Sequence, residues 1–251
     1  VDALNMSGIK ASFLNSSLTS LEQKKVIQEL QTNEISLLYV APERLAQPGF
    51  IDILKGIDIN FFAIDEAHCI SQWGHDFRPE YRQLKVLRKH FPDKSIIALT
   101  ATATPRVKSD IIKELDISDA ATYQASFVRP NLSYRILPKQ KPFDQTLEYI
   151  KSRIVGEAGI IYCLSRKKVE SVAERLEAEG IRALPYHAGL PDDVRQKNQE
   201  RFLKEDVDVI VATVAFGMGI NKSNVRYIIH YDLPQSLEHY YQETGRAGRD
   251  G

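Results

Sequence analysis

The stretch FFAIDEAH, residues 61–68, decides the fold. Four apolar residues lead directly into Asp65 and Glu66, which is typical of a buried parallel strand whose carboxyl end opens onto a ligand site. There Asp65 could hold a magnesium ion, and Glu66 could orient or deprotonate a water that attacks a γ-phosphate. A strand that leaves the core through a charged turn would show the same two acids, so the pair by itself leaves both interpretations open.

Short apolar runs alternate with helical patterns on both sides of this stretch. In the first half, strands are predicted at residues 36–40, 60–64 and 95–99, and a helix is predicted at 79–90. Two further helices are predicted after Thr19, where Glu22 completes a capping box, and after Thr104, which is followed by Pro105. In the second half, strands are predicted at 159–163, 181–186, 208–212 and 225–230, and helices at 166–179 and 191–204. This alternation predicts an α/β fold with two mainly parallel sheets.

A proline-rich interruption separates the two series. Pro130, Pro138 and Pro142 break any long element, so the domain junction is expected within residues 125–142. The predicted domains are residues 1–126 and 127–251. Because the chain opens in the middle of a pattern and without Met, we expect it to be a piece of a longer protein.

Charge and cysteine content exclude several classes of protein. Lys plus Arg and Asp plus Glu both number 33, so nucleic-acid binding would have to come from local placement of charge. Cys69 and Cys163 lack the spacing of metal ligands, which argues against a zinc site or a disulfide framework. Neither a membrane segment nor a secretory leader is present in the sequence, so we expect a cytoplasmic or nuclear protein rather than a secreted one.

Aromatic and basic side chains alternate shortly after the acids. Trp73, His75 and Phe77 are followed by Arg78, and Gly74 and polar neighbours indicate a loop. Aromatic faces accept stacked bases at about 1–3 kcal/mol each, and an arginine can meet phosphate. The alternative is that Trp73 and Phe77 belong to the core.

Two further groups have the residue types of a phosphate site. Thr100 and Thr102 supply hydroxyls after a strand end, although a run of threonines could reflect β-propensity alone. Arg246 and Arg249 lie three residues apart and can project from one helix face, although two arginines could equally form a solvated face.

Taken together, these strings resemble the RecQ family of helicases. Residues 65–79, DEAHCISQWGHDFRP, resemble the Walker B element and aromatic-rich loop of that family. Residues 98–104, 216–221 and 242–251 resemble its third, fifth and sixth helicase motifs. The resemblance implies two RecA-like domains, the first incomplete at its N-terminus, and an ATP- and Mg²⁺-dependent 3′ to 5′ DNA helicase of repair and recombination. Its partner would be DNA, as single strands and duplex junctions.

The resemblance also implies roles for individual residues. Arg249 would be the arginine finger and Arg246 the phosphate sensor, while Ser165 could equally be only a helix cap. The catalytic residues would be Asp65, Glu66, His68, Gln242, Arg246 and Arg249. The nucleotide would be bound by Asp65, Gly217, Gly219, Asn221, Arg246 and Arg249, with Asp65 as the magnesium ligand. DNA binding and coupling would fall to Arg44, Ser71, Gln72, Trp73, His75, Phe77, Arg78, Thr100, Thr102, Ser165, Arg166, His187 and Thr213.

The phosphate-binding loop of such motors is not found in the 251 residues. No Gly-x-x-x-x-Gly-Lys-Ser/Thr occurs, and the nearest likeness, residues 217–223, has Asn221 where the motif needs glycine. We therefore expect that loop upstream of Val1, and no ATP hydrolysis by this chain alone. Two alternatives stay open: a DEAD-box-like RNA helicase, and a non-catalytic piece that binds DNA or a partner.

Overall fold

The computed structural model describes residues 1–74, 76–126, 128–154, 156–217, 220 and 222–250. These residues form two compact units, Val1–Tyr123 and Gln124–Gly251. None of the described helices is both long enough and apolar enough to cross a lipid bilayer.

Among its described residues, the first unit contains four short strands that pair in parallel. They are β1 (Ala11–Leu14), β2 (Leu37–Val40), β3 (Phe61–Ile64) and β4 (Ser95–Ala98), paired as β1 with β2 and β3 with β4. The helices are α1 (Asp2–Met6), α2 (Ser20–Gln31), α3 (Pro42–Leu45), α4 (Phe50–Lys55), α5 (Lys85–His90) and α6 (Pro105–Leu115). Two 3₁₀ helices, Ala67–Ile70 and Pro79–Leu84, lie between β3 and α5.

Both predicted N-caps of the first unit are confirmed. The Thr19 side chain accepts a hydrogen bond from the amide of Glu22, whose carboxylate accepts one from the amide of Thr19, and this closes the capping box of α2. The Thr104 hydroxyl accepts from the amide of Val107 at the start of α6. Each cap satisfies an amide that the first helical turn leaves without a partner.

The predicted helix at residues 79–90 is two elements, a 3₁₀ helix followed by α5. Tyr81, Leu84 and Leu87 recur every third residue, which is the period of a 3₁₀ helix rather than the 3.6 residues of an α-helix. Leu84 and Leu87 are buried in the core of this unit, where they join Leu14 and Ile64.

The part of the second unit that the structure describes contains one four-stranded parallel sheet. Its strands are β5 (Ala158–Tyr162), β6 (Ala183–Tyr186), β7 (Val209–Ala212) and β8 (Val225–His230), in the order β6-β7-β5-β8. The helices are α7 (Pro142–Lys151), α8 (Arg166–Ala178), α9 (Asp192–Leu203) and α10 (Leu237–Thr244). Every residue of β5 and β7 is buried, as expected of parallel strands covered on both faces. The carboxyl ends of these strands lead into the loops that carry the predicted site residues.

Candidate functional site

The two acids follow β3 in a strained turn that is fastened to the end of β4. Asp65 accepts a hydrogen bond from the amide of Glu66 on Oδ1, at 2.9 Å. Glu66 has φ 50°, a left-handed conformation that is costly for a residue with a side chain and is concentrated at functional sites. The Ala67 amide donates to the carbonyl of Leu99 at 2.9 Å, and the Leu99 amide donates to the carbonyl of Ile64 at 2.8 Å. These two bonds fix the acid turn against the segment that carries the threonines.

His68 connects the acid turn to that segment through its side chain. Its ring is 2% exposed, and Nδ1 lies 3.0 Å from Thr100 Oγ1 and 3.3 Å from Glu66 Oε2. The Thr100 hydroxyl donates to the carbonyl of Thr102 at 3.0 Å, so it accepts the hydrogen bond from His68 Nδ1. Among the described residues the buried Thr102 hydroxyl has no hydrogen-bond partner. The ring of His68 thus contacts both Glu66 and Thr100, and the catalytic role expected of His68 stays a prediction.

The first half of the aromatic loop projects Trp73 into solvent. The side chain of Trp73 is 59% exposed, which excludes the core alternative for this residue. Ser71 is fully buried, donates to Asp110 Oδ2 at 2.6 Å, and accepts from the Trp73 amide at 3.1 Å. The guanidinium carbon of Arg106 lies 3.5 Å from the centroid of the Trp73 ring. Gln72 is exposed beside it.

The second half of the loop is held back onto the first 3₁₀ helix. The Arg78 amide donates to the carbonyl of Cys69 at 2.9 Å, and its guanidinium donates to Asp76 Oδ2 at 2.7 Å. Burial, with the negative charge of Asp76, raises the pKa of the Cys69 thiol to about 11, so this thiol stays protonated. Phe77 is half-buried, with the Arg82 guanidinium carbon 5.1 Å from its ring centroid.

Gly74 is required by close packing at the centre of the loop. A Cβ at this position would overlap the carbonyl oxygen of His68, so the loop backbone passes too near the first 3₁₀ helix for any side chain. The predicted site residue His75 lies outside the described residues.

Arg44 is engaged in packing within the first unit. It donates to Gln23 Oε1 at 2.9 Å, and its guanidinium carbon lies 5.3 Å from the ring centroid of Phe50. These contacts tie the end of α3 to α2 and α4. The DNA contact expected of Arg44 stays a prediction.

In the second unit, Arg246 is held against the segment that follows β7. Its guanidinium donates to the carbonyl of Gly217, and a Cβ at Gly217 would overlap that guanidinium, which explains the glycine. The Tyr162 hydroxyl donates to the neighbouring carbonyl of Phe216 at 2.9 Å, and burial raises the pKa of that phenol. Gly219 and Asn221, both predicted to bind the nucleotide, lie outside the described residues.

Arg249 reaches solvent three residues beyond Arg246. Because α10 ends at Thr244, both arginines follow the helix, and the expectation that they share a helix face is wrong. Its Nε donates to the carbonyl of Gly245 at 3.2 Å, and its amide donates to the carbonyl of Ser223 at 3.2 Å. Partial burial and the positive charges of Arg246 and Arg129 lower the pKa of Arg249, which nevertheless stays charged. An exposed guanidinium on a fixed backbone suits contact with an anion that arrives from solution.

A buried hydrogen-bonded pair, which the sequence does not predict, fixes α10 to the sheet. His230 Nε2, at the end of β8, lies 2.7 Å from Glu243 Oε2, and the two side chains are 12% and 7% exposed. The Tyr162 ring stacks on His230 with centroids 5.8 Å apart. Because Glu243 follows Gln242 directly, this pair sets the orientation of the helix that leads to Arg246. The feature of the sequence that could have indicated this pair is a histidine, His230, at the end of an apolar strand.

Three of the predicted DNA-binding residues gather at the ends of β5 and β6. Ser165 accepts from the Lys168 amide at 3.3 Å and so caps α8, which is the alternative that the sequence left open. Arg166 is exposed, and a Cβ at Gly189 would overlap its guanidinium. His187 is buried, with Nε2 3.1 Å from Glu170 Oε1. The role of these residues in binding stays a prediction.

A small cavity opens at the carboxyl ends of β5, β7 and β8. Its volume is about 90 Å³, and its lining includes Thr213, Leu164, Asp232 and His239. Burial tends to raise the pKa of Asp232, but hydrogen bonds from Lys168, Lys139 and the Leu164 amide outweigh it and hold the pKa at about 2. Asp232 is therefore a fixed anion that ties the loop after β5 to α8.

The donor set around Asp65 fits magnesium better than a metal caged by protein. Within the described ranges no cluster of three or more His, Cys, Asp or Glu side chains could hold a metal. Mg²⁺ commonly uses only one or two carboxylates, together with waters and phosphate oxygens. The exposed carboxylate of Asp65 meets that requirement.

Comparison with known proteins places both units in one class. Residues 3–111 match the model of the DEAD/DEAH box helicases, and residues 141–251 match that of the helicase conserved C-terminal domain. Yeast Dbp5 bound to RNA and ADP BeF3 superposes with a TM-score of 0.65 at 19% identity, covering 96% of this chain and 61% of that one. The Mycobacterium smegmatis helicase Lhr bound to ssDNA and AMP-PNP gives 0.68 at 17%, covering 99% and 35%. Both units are RecA-like helicase domains with parallel sheets flanked by helices.

Curated relatives narrow the class to one family. The ATP-dependent DNA helicase RecQ of Haemophilus influenzae is 50% identical over the whole chain, which spans 40% of that protein. RecQ of Bacillus subtilis is 48% identical over the whole chain, which spans 42% of it, and the RecQ-like DNA helicase BLM of Xenopus laevis is 46% identical, with 19% spanned. The chain belongs to the RecQ family, and it spans about two fifths of the length of its bacterial relatives.

Proposed function

We propose that the chain is part of an ATP-dependent DNA helicase that unwinds DNA in the 3′ to 5′ direction in repair and recombination. The observation that carries this proposal is the link from Glu66 through His68 to Thr100, adjacent to a loop that projects Trp73 into solvent. Relatives 46–50% identical to the chain are described as DNA helicases, whereas the RNA-bound neighbour is only 19% identical. We therefore favour DNA over RNA as the partner, both as single strands and at duplex junctions.

We propose that the acid turn carries the hydrolytic step. Glu66, half-buried and held in a left-handed conformation, would orient a water and accept its proton. Asp65 would hold Mg²⁺, which when bound neutralises charge on the phosphates. His68 would keep the Glu66 carboxylate in place, because its ring is fixed by burial and by Thr100.

We propose that the arginines of the second unit serve the same hydrolysis. Arg249 would act as the arginine finger, since its guanidinium is exposed on a fixed backbone. Arg246 would sense the phosphates, and its contact with Gly217 would carry that signal into the segment after β7. An arginine finger is worth about 10³ to 10⁵ in rate in phosphoryl transfer.

The loop would couple DNA binding to this chemistry. Trp73 offers an exposed ring for base stacking, and Ser71 and Arg78 anchor the loop on either side of it. Because the loop begins at the end of the 3₁₀ helix that holds His68, a shift of the loop would be transmitted to Glu66 through few bonds.

The test is the ATPase rate of a longer protein that contains this chain, with and without single-stranded DNA. Trp73→Ala is expected to abolish most of the DNA stimulation while ATP binding is retained. Tyr123→Ala is the matched control, because it removes another exposed aromatic ring of the first unit. Stimulation by DNA that is unchanged in the Trp73 variant would refute the coupling role. An ATPase stimulated by RNA and indifferent to DNA would favour the RNA-helicase alternative.

The same assay on the 251 residues alone separates a motor from a binding piece. No hydrolysis is expected from these residues, because they contain no Gly-x-x-x-x-Gly-Lys-Ser/Thr sequence. Hydrolysis by the longer protein supports the motor. DNA binding by both proteins with hydrolysis by neither would favour a non-catalytic role.

A further inference from the structure

Helix α6 contacts the aromatic loop at two points, and both contacts come from one side of the helix. Arg106 and Asp110 are four residues apart, so their side chains lie one above the other. Arg106 stacks on the ring of Trp73 at 3.5 Å, and Asp110 accepts the hydrogen bond of the Ser71 hydroxyl at 2.6 Å. The apolar stripe of α6 packs separately in the core through Val107, Ile111 and Leu115.

The two contacts determine how Trp73 is presented. Asp110 fixes Ser71, and the Ser71 hydroxyl in turn accepts the amide of Trp73, so the backbone of the loop is fixed at its first turn. Arg106 covers one face of the indole ring. The ring is still 59% exposed, which leaves the opposite face open to solvent.

We propose that Arg106 and Asp110 are positioning residues for the DNA-binding loop, and that they hold the indole of Trp73 with one face on α6 and the other ready to accept a base. This inference rests on the proposed function, because it assumes that the ligand of Trp73 is a nucleobase of single-stranded DNA. An aromatic side chain that is already ordered loses less conformational entropy when a base stacks on it, so the two residues raise affinity without touching the DNA. Since α6 follows Thr100 and Thr102 directly, the same contacts join the loop to the threonine segment.

The chain contains a single tryptophan, so its intrinsic fluorescence reports on Trp73 alone. In the absence of DNA, Arg106→Ala is expected to raise quenching by acrylamide about two-fold and to lower the steady-state anisotropy, because the ring gains an open face and rotamer freedom. Arg82→Ala is the matched control: it removes an arginine of equal charge that stacks on Phe77 instead. Quenching and anisotropy unchanged in the Arg106 variant would overturn the proposal.

The second arm titrates the same proteins with a short oligothymidylate and follows quenching by stacked thymine. Arg106→Ala is expected to weaken binding about three- to ten-fold, and Asp110→Asn about two- to three-fold, while Arg82→Ala changes it little. Arg106→Lys keeps the charge but not the planar guanidinium, so it is expected to bind as weakly as the alanine variant.

The outcomes distinguish the inference from the proposed function beneath it. Wild-type affinity in Arg106→Lys would show that only charge matters, and tighter binding in Arg106→Ala would show that Arg106 obstructs the ring; either result overturns the positioning role alone. If the wild-type chain itself bound no oligothymidylate, both the DNA interface and the role of the two residues in it would be rejected, whatever the DNA-free arm showed.

Discussion

The strands of the two units differ in how completely they are buried. In the first unit, apolar side chains alternate between core and solvent: Tyr39 is 51% exposed, Phe61 51% and Ile97 44%. In the second unit, every residue of β5 and β7 is buried. The described strands of the first unit thus leave one face partly exposed, whereas the two central strands of the second unit, β5 and β7, are buried on both faces.

This difference in burial bears on how each unit holds its predicted site residues in place. Strands covered on both faces remove more apolar surface from water than strands with one partly exposed face, so they contribute more to stability. The second unit therefore has the better-buried framework for Arg246. The first unit holds its acids through specific hydrogen bonds around His68 and Thr100 rather than through a sheet buried on both faces.

The largest expected effect on stability comes from truncating a fully buried isoleucine in the second unit, and a half-exposed isoleucine in the first unit gives the comparison. Ile161 in β5 is 0% exposed, and Ile97 lies in β4. Ile161→Ala is expected to lower the unfolding free energy of the second unit by about 2–4 kcal/mol, because it leaves a cavity. Ile97→Ala should cost less, about 1 kcal/mol in the first unit, because its side chain is already 44% exposed.

Urea unfolding can assign each loss to its unit. Trp73 fluorescence follows the first unit alone, and far-UV circular dichroism follows both. The contrast between the two sheets would be wrong if Ile97→Ala lowered the unfolding free energy as much as Ile161→Ala does, since the exposed face of β4 would then contribute to a core.

A smaller and pH-dependent effect is expected at Asp232. Its pKa is lowered from 3.8 to about 2, so it stabilises the folded second unit above about pH 4, and that stabilisation is lost as the pH falls toward 2. At neutral pH, Asp232→Asn should lower the unfolding free energy by about 1–2 kcal/mol, after allowance for the exposure of its lysine partners. The gap between variant and wild type should close in acid. A gap of constant size from neutral pH to pH 2 would show that the lysine contacts do not set this pKa.

The smallest effect on stability is expected at Thr102. Its buried hydroxyl has no hydrogen-bond partner among the described residues, so Thr102→Val should change the unfolding free energy of the first unit by less than about 1 kcal/mol, and could raise it. DNA-stimulated ATPase of the longer protein should nevertheless fall, because the hydroxyl is available to the nucleotide cycle. A marked loss of stability would indicate that this hydroxyl has a structural partner.

Much of the fold was predictable because its local signals are strong. The strand at 225–230 matches β8 residue for residue, and the caps at Thr19 and Thr104 lie where their side-chain chemistry requires. The sequence does not predict the division of residues 79–90 into two helices, because Tyr81, Leu84 and Leu87 also fit one face of a single α-helix.

Only the parts of the candidate site that lie within short contiguous motifs could be predicted from the sequence. The acid turn and the arginines follow from contiguous strings, but the partners of Trp73 do not. Arg106 and Asp110 lie more than thirty residues away in sequence, and their contacts depend on how α6 packs beside the loop. The His230–Glu243 pair has the same character, because it joins a strand end to a helix that follows in the chain.

The central claim is that Glu66 activates the water that hydrolyses ATP, and Glu66→Gln tests it most directly. In a longer protein that contains this chain, this substitution keeps the shape of the side chain but removes the base. We predict that DNA-stimulated ATP hydrolysis falls at least about 100-fold while affinity for single-stranded DNA is unchanged. Hydrolysis that persists near the wild-type rate would contradict the assignment of Glu66.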